Sequence, residues 1–506
     1  MFVVLTFVFL CLLILYVKHK YFTSRRSIPS LPTHFLFGNL LQSGLLRGAS
    51  FPEVYTLFKN KLGDIYEIKV GFLHGIIVND IDDVEHIFTH RHIYDQSDWL
   101  VDILAVFAPD SLITSKGAKF KRHASITMPL FRHGKILSNF DLIINCTDDL
   151  LNNWYSSSSD HIHRDILRQC QNLLLEIFGF IGFDYDFDTL RGTNNNELTQ
   201  ALRSYVGALE LGFYLPNFFF NAYLKLNPKC RRARTIIKRY LYRMMEQELT
   251  ETSESRAQRK KTSLIASLVA SLQTDEQAEE RKSEDKRKVF VFLLSGLIQR
   301  EILGEMLMFL IAGFETTSTA LAWAIHLLSK HPEVQQKIKA ELINEKVDHD
   351  LILDRLDSLV YLDCVIKEIL RFCPPVASAA RTLTMDDRLP KSGIQLYKGD
   401  HIIIPTCILS RDPRHWSIDP ELFYPERFLG ADKNHNPYAF LSFGSGHRQC
   451  IGQDLARFEL KVIVARLMQR VTFSDGGPEV NAGGHLQGLT VMPKYIGAKI
   501  KFSSKI

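Results

Sequence analysis

The chain has 506 residues, 46% hydrophobic and 23% charged, the make-up of an ordinary globular protein with room for a large core. Lys plus Arg number 61 against 56 for Asp plus Glu, a net charge of +5. That excess is too weak to argue for nucleic acid, and it fits mild attraction to an anionic membrane or an acidic partner.

Residues 1–17, MFVVLTFVFLCLLILYV, carry no charge. As a helix they would span about 26 Å. That is short for most membranes but matches the endoplasmic reticulum bilayer at about 27 Å. A cleaved signal peptide is the alternative. Its apolar run is normally shorter, and small residues mark its cleavage site. Here Lys18, His19, Lys20, Tyr21 and Phe22 follow, then Arg25 and Arg26. Residues 1–17 therefore read as an uncleaved transmembrane anchor, and the basic cluster behind it places the rest in the cytosol. Residues 18–34 form a basic linker that Pro29 and Pro32 keep stiff and non-helical. Residues 35–506 form the body.

In the body, Asp64 to Asn79 alternates and is rich in β-branched residues, which predicts a hairpin with Gly71 and Gly75 near the turn. Most of the remainder reads as helix. Leu211 to Leu224, LGFYLPNFFFNAYL, is unusually aromatic. Core packing broken at Pro216 is the simpler account; a membrane-dipping or substrate-access patch is the functional one. Residues 251–288 are dense in mixed charge and predict a solvated helix-and-loop region. Residues 289–330 are a long apolar helical stretch containing Ala312, Gly313, Phe314, Glu315, Thr316 and Thr317. Gly and paired Thr are poor helix formers. A threonine hydroxyl can also bond back to the i−4 carbonyl. With an acid among them, they mark a candidate polar pocket. Further on, YLDCVIKEILRFCPP is an amphipathic helix ended by Pro374 and Pro375. It carries Glu368 and Arg371 on one face. Taken alone, that pair is an everyday ion pair worth under about 1 kcal/mol.

The eight cysteines include no CxxC pair, which gives no support to a zinc or thioredoxin-type site. Most read as buried apolar thiols. Cys450 differs, because it stands in FGSGHRQCIG, Phe443 to Gly452, just before a helix. The N–H groups and dipole of that helix, with Arg448, would lower its thiol pKa. Gly446 and Gly452 would let a flat group come close to the backbone. Phosphate fits worse: Gln449 stands where the third glycine of GxGxxG belongs, and no GKS or GKT occurs.

Phe443-x-x-Gly446-x-Arg448-x-Cys450-x-Gly452 resembles the haem-binding loop of the cytochrome P-450 family. Glu368-x-x-Arg371 resembles that family's ExxR, and Pro425-Glu426-Arg427-Phe428 its PERF element. Ala312-Gly313-x-Glu315-Thr316-Thr317 resembles its oxygen-activating helix. The marks stand in family order, and the likeness runs from the anchor to the C-terminus. It implies a mainly α fold with a small β-rich subdomain, in a single large catalytic domain. It implies haem b (iron protoporphyrin IX), with Cys450 as axial ligand and a thiolate pushing electron density onto the iron. Arg381 and Arg448 would pair with the haem propionates, while Phe443, Gly446 and Gly452 shape the loop. Glu368, Arg371 and Arg427 would form a buried ion network that holds it. Glu315 and Thr316 would supply a hydrogen bond and a proton route, which is general acid work.

The implied activity is monooxygenation: one atom of O2 enters an apolar substrate (lipid, sterol or xenobiotic), with electrons from NADPH. No Gly-rich nucleotide fingerprint occurs in the chain. A separate NADPH-dependent flavoprotein reductase is therefore the expected donor, with cytochrome b5 as a further partner. Lys121, Arg122 and Arg448 are the cations it would meet. Trp99 to Thr114, residues 203–224 and Val376 to Ala380 are the expected substrate-contacting segments.

One stretch departs from the family. Where it carries Trp-x-x-x-Arg toward a propionate, this chain has Phe120 and Ala124. Phe cannot donate an indole N–H and Ala cannot pair with a carboxylate, leaving Arg122 or His123 as substitutes. Ala312 stands where a fatty-acid-hydroxylating subgroup has a haem-esterified Glu, so no covalent link is expected. Two rival readings follow. One is a haem-thiolate isomerase or dehydratase acting on peroxides, which Glu315 and Thr316 oppose. The other is a non-catalytic haem-binding member, motivated by Phe120 and Ala124.

Overall fold

The computed structural model describes residues 2–17, 28–34, 37–70, 73–131, 136–156, 161–191, 196–252, 254–255, 263–272, 297–343 and 351–503. The longer helices are α1 (Phe2–Val17), α2 (Phe51–Leu62), α3 (Ile81–Thr89), α4 (Asp98–Phe107), α5 (Gly117–Thr127), α6 (Phe140–Tyr155) and α7 (Ile166–Phe183). They continue with α8 (Glu197–Gly207), α9 (Asn217–Leu226), α10 (Pro228–Thr250), α11 (Gln299–Lys330), α12 (Pro332–Ile343), α13 (Val360–Phe372) and α14 (Gln453–Arg470). The strands that matter below are β1 (Ile65–Val70), β2 (Leu73–Val78), β3 (Tyr94–Gln96), β4 (Ile162–His163), β5 (Ala379–Leu383), β6 (Asp387–Arg388), β7 (Gln395–Leu396) and β8 (His401–Ile404). The fold is mainly helical, in one domain, with small sheets beside the helices.

Local chemistry sets many helix starts. Ser50 accepts from the Glu53 N–H while Glu53 reaches back to the Ser50 N–H, a reciprocal box that opens α2. Asp80 caps α3 and Ser97 caps α4 in the same acceptor role. Asn227 caps α10, and Pro228 pre-sets its first turn.

The five-stranded sheet has the order β1-β2-β8-β5-β3. The hairpin is present, with Ile65 opposite Val78 and Val70 opposite Leu73. Gly75, however, lies inside β2 opposite Ile68 rather than at the turn. A Cβ there would sit 2.6 Å from Ile403 Cδ1, so this glycine admits β8 rather than a bend. Gly71 lies outside the described residues.

The main core gathers around α11, which is buried along nearly its whole length and packs along α7. It is long and apolar enough to cross a membrane, yet protein covers it. Gly313 makes this contact possible: a Cβ there would lie 2.4 Å from the Phe178 ring of α7. The helix begins at Gln299, and residues 289–296 lie outside the described residues, as does most of the charged stretch 251–288. α1 is helical as the sequence suggests, and linker residues 18–27 are outside the described set. Pro216 does break the aromatic stretch, standing just before α9. Phe220 is buried there, but Phe218 and Phe219 are 77% and 59% exposed, so core packing accounts for only part of that segment.

Gly304 offers a test of how tightly α11 is seated. A Cβ there would meet the Pro109 carbonyl oxygen at 2.3 Å, and backbone cannot swing aside. We expect Gly304→Ala to cost about 1–3 kcal/mol. Gly207, whose Cβ would meet nothing within 4 Å, is the control. Its change to Ala should be neutral or slightly stabilising. Thermal unfolding of both variants checks the pair.

Candidate active site

Cys450 is the one exposed cysteine among the described residues of the body; the others there are buried. The residue is exposed as a whole, while protein crowds its thiol. The loop before it turns at Gly444 and Gly446, with φ of +69° and +72°. A Cβ on Gly446 would lie 2.7 Å from the Phe88 carbonyl oxygen of α3. The loop's own packing thus requires this glycine. The Cys450 N–H donates to the Phe443 oxygen at 2.9 Å. Ser442 Oγ donates to the Leu370 oxygen of α13 at 2.7 Å.

Burial raises the Cys450 thiol pKa, and the Gly452 N–H opposes it only in part. This corrects the expectation of a loop that lowers it. The reason is the direction of Arg448. Its Nη2 donates to Asp95 Oδ1 at 3.0 Å and its Nη1 to the Ser115 oxygen at 3.1 Å. The guanidinium also stacks 3.6 Å from the centre of the Phe120 ring. It is spent on these partners, not on the sulfur.

Glu368, Arg371 and Arg427 meet with no exposure at all. Arg371 binds both oxygens of Glu368, at 2.7 and 2.9 Å. Arg427 Nε reaches the same carboxylate at 3.1 Å. Asp432, which the sequence did not single out, takes Arg427 Nη1 at 3.1 Å. Arg381 lies on β5, buried, with Nη1 donating to the Ala380 oxygen and Nη2 to the Ser445 oxygen. Burial and the neighbouring Arg448 cation bring its pKa down to about 10, against the pull of Asp95.

On α11, Ala312 is exposed while Gly313 and Thr316 are half-exposed, an opening in an otherwise buried helix. The Thr316 hydroxyl donates to the Ala312 oxygen at 2.9 Å. Glu315 is buried and does not bond to Thr316. Its carboxyl accepts from Thr490 at 3.2 Å and from Gln171 at 3.3 Å. Burial raises its pKa, although Thr490, Arg203 and Gln171 pull the other way.

The two candidates to replace the missing Trp and Arg are engaged elsewhere. Arg122 pairs with Glu301 of α11, and His123 places its Nδ1 on Glu305 and its Nε2 3.4 Å from Glu301. All four are buried. Arg122 and Arg448 are therefore not surface cations for a partner, whereas Lys121 is exposed.

A sequence profile of the cytochrome P450 family matches residues 28–498. Cytochrome P450 monooxygenase 205 of Postia placenta is 27% identical over 90% of this chain and 87% of its own length. Cytochrome P450 3A12 of Canis lupus familiaris is 30% identical over 72% of this chain and 70% of its own. Cytochrome P450 4V2 of Mus musculus is 28% identical over 88% and 84%. The chain belongs to the cytochrome P450 family.

This P450 is accordingly an oxidoreductase that incorporates oxygen, and its family carries haem. The side chains present suit that group. Two buried guanidiniums, Arg381 and Arg448, have one carboxylate between them, Asp95. Among the described residues, Arg448 Nε is buried without a partner and Arg381 bonds only to carbonyl oxygens. An anionic ligand edge answers both. Cys450, exposed in the same loop, has the donor chemistry a metal ligand needs.

Sequence reasoning also missed Glu459 of this P450. It is buried on α14, bonded to Thr317, and burial lifts its pKa to about 8. A carboxyl raised this way gives its full stability below the ordinary value of about 4.3. That stability is lost as pH climbs to about 8. Glu459→Gln should therefore flatten the fall in thermal midpoint between pH 5 and pH 8. An equal fall in parent and variant would refute the assignment.

Proposed function

We propose that the chain is a membrane-anchored haem-thiolate monooxygenase. It inserts one oxygen atom from O2 into an apolar substrate, using electrons from NADPH. The observation that carries this is Cys450, the one exposed cysteine among the described residues of the body, in a loop fixed by Phe443, Gly446 and Ser442. Haem b is the cofactor; the Cys450 thiolate would hold its iron, and Arg381 and Arg448 would hold its propionates. When bound, it supplies dioxygen activation, which no amino-acid side chain can provide. Metal coordination would deprotonate the thiol despite its burial.

The protein's own part is to handle protons and exclude water. Glu315, whose pKa burial raises, would serve as the acid of the proton route. Thr316 spends its hydroxyl hydrogen on Ala312 and keeps its lone pairs for an incoming donor. The buried sides of α11 keep water from the proton route except at Ala312, Gly313 and Thr316.

Membrane attachment rests on two features. α1 is predominantly apolar and carries no charged side chain, and Leu41, Leu46, Phe218, Phe219 and Leu226 are exposed apolar side chains on the body. Phe51 meets Phe213 edge-on at 5.8 Å, which joins the chain following the linker to the aromatic segment. These surfaces together suit the endoplasmic reticulum membrane, with the body in the cytosol. For a flavoprotein reductase and cytochrome b5, a groove of about 470 Å³ includes Lys367, Lys433 and Arg457 in its lining. Arg457 lies over the Phe443 ring of the cysteine loop at 5.1 Å, so the groove adjoins that loop.

The peroxide isomerase reading is disfavoured by the buried acid beside Thr316. Against the non-catalytic reading, raised by Phe120 and Ala124, stands the stacking of Phe120 on Arg448, which gives Phe120 a place at the site.

The deciding measurement is the absorption of the reduced, CO-treated protein. We expect the red-shifted thiolate-type band in the parent and its loss in Cys450→Ala. A parent without the band, or a variant that keeps it, overturns the ligand assignment. Thr316→Ala should divert NADPH electrons to peroxide by about 10-fold or more relative to product, with substrate binding little changed. Coupling equal to the parent would remove Thr316 from proton delivery.

A further inference from the structure

We infer that Asp95 is a positioning residue for Arg448, and that its negative charge loosens this chain's hold on haem. The inference rests on the haem-thiolate reading above and concerns the end of the site that would receive the propionates.

Three contacts fix the Arg448 guanidinium. Phe120 lies under its face, Asp95 takes Nη2 and the Ser115 oxygen takes Nη1. His447 adds Nε2 to the same Asp95 oxygen at 3.4 Å. Burial pushes the Asp95 carboxyl up, but His447, the Gln96 N–H and Arg448 together hold it well below the usual range. Asp95 is thus an ionised group. It stands on β3, which pairs with β5 so that Asp95 and Gln96 face Thr382 and Arg381. The second guanidinium, Arg381, has no carboxylate of its own among the described residues and lies over the Phe88 ring at 5.0 Å.

The charges can be counted. Arg381 and Arg448 are two buried cations, and Asp95 is one anion. Two propionates would bring the anions to three. Arg122 and His123 bring no help, because Glu301 and Glu305 take them. Ala124 offers no cation and Phe120 no N–H donor. Asp95 therefore does two opposed things. It holds Arg448 flat against Phe120, and it competes with the ligand for the same guanidinium.

Asp95→Asn separates the two. The amide oxygen still accepts from Arg448 and His447, but the charge is gone. Haem transfer from the full-length protein to excess apomyoglobin, followed by absorbance, should slow by about tenfold in this variant. The haem midpoint potential should rise, since a nearby anion disfavours the added electron. Asp95→Glu keeps the charge and should keep the parent's rate and potential. Ala124→Arg adds a third cation and should also slow haem loss, which serves as a second test if the Asn variant folds poorly. Haem loss from Asp95→Asn at the parent's rate or faster, or from Ala124→Arg without slowing, overturns the proposal. A parent chain that takes up no haem overturns the haem-thiolate reading and this one with it. A parent that holds haem while Asp95→Asn shows no gain overturns this one alone.

Discussion

The carboxylate of Glu368 is shared by two arginines in a place that water does not reach, and the cysteine loop depends on it. Burying charge is costly unless every member is paired and hydrogen-bonded. Here the count closes. Glu368 and Asp432 balance Arg371 and Arg427. Arg371 spends its donors on Glu368 and on the oxygens of Ser410, Pro420 and Leu422. Arg427 spends its own on Glu368, Asp432 and the oxygens of Ile418, Asp419 and Leu422. Those carbonyls belong to a proline-rich run that a ladder of strands does not hold. The two arginines do that work instead. Loss of one partner would strand a buried charge, at a cost on the order of 3–5 kcal/mol.

A second group of buried acids obeys the opposite rule. Glu305, Glu315 and Glu459 lie on or against α11, and burial raises the pKa of each. Glu305 Oε2 and Glu459 Oε1 have no partner. Neutral acids can sit in an apolar core where ionised ones cannot. Glu301, also buried on α11, goes the other way: burial pushes its carboxyl up, but His123, Arg122 and the Ile298 N–H bring its pKa down to about 2.

What the sequence disclosed depended on the kind of signal. The loop around Cys450, the pair Glu368 and Arg371, and the Pro425–Phe428 element were legible because spacing alone carries them. The hairpin and the long α11 were legible from periodicity. The burial of Glu368 was not, since an acid and an arginine three residues apart are usually a surface pair. Asp95, Asp432, Gln171, Arg203 and Thr490 escaped notice for a related reason. They are common residue types whose partners lie far off in the chain, and nothing local marks them. Gly75 was read for the wrong neighbour, because it accommodates Ile403; Gly446 has a neighbour the sequence did not show, the Phe88 carbonyl. The thiol pKa was misjudged because Arg448 is near Cys450 in sequence but turned toward Asp95 in space.

The position of the Cys450 sulfur therefore follows from a chain of contacts that starts well away from it. Glu368 and Arg371 lock α13 to the proline-rich run. One residue from Arg371, the Leu370 oxygen receives Ser442 Oγ, which begins the cysteine loop. Phe443 then accepts the Cys450 N–H and lies under Arg457 of α14. On the other side, Gly446 presses on the end of α3 where a Cβ could not fit. The loop is held from three helices, and none of these contacts uses the sulfur itself. The thiol is thus positioned by the fold. The cation beside it is not free, because Asp95 already holds Arg448. Rigid placement of the sulfur and contested placement of the cation are two outcomes of one design rule: a buried charge goes wherever its counter-charge is.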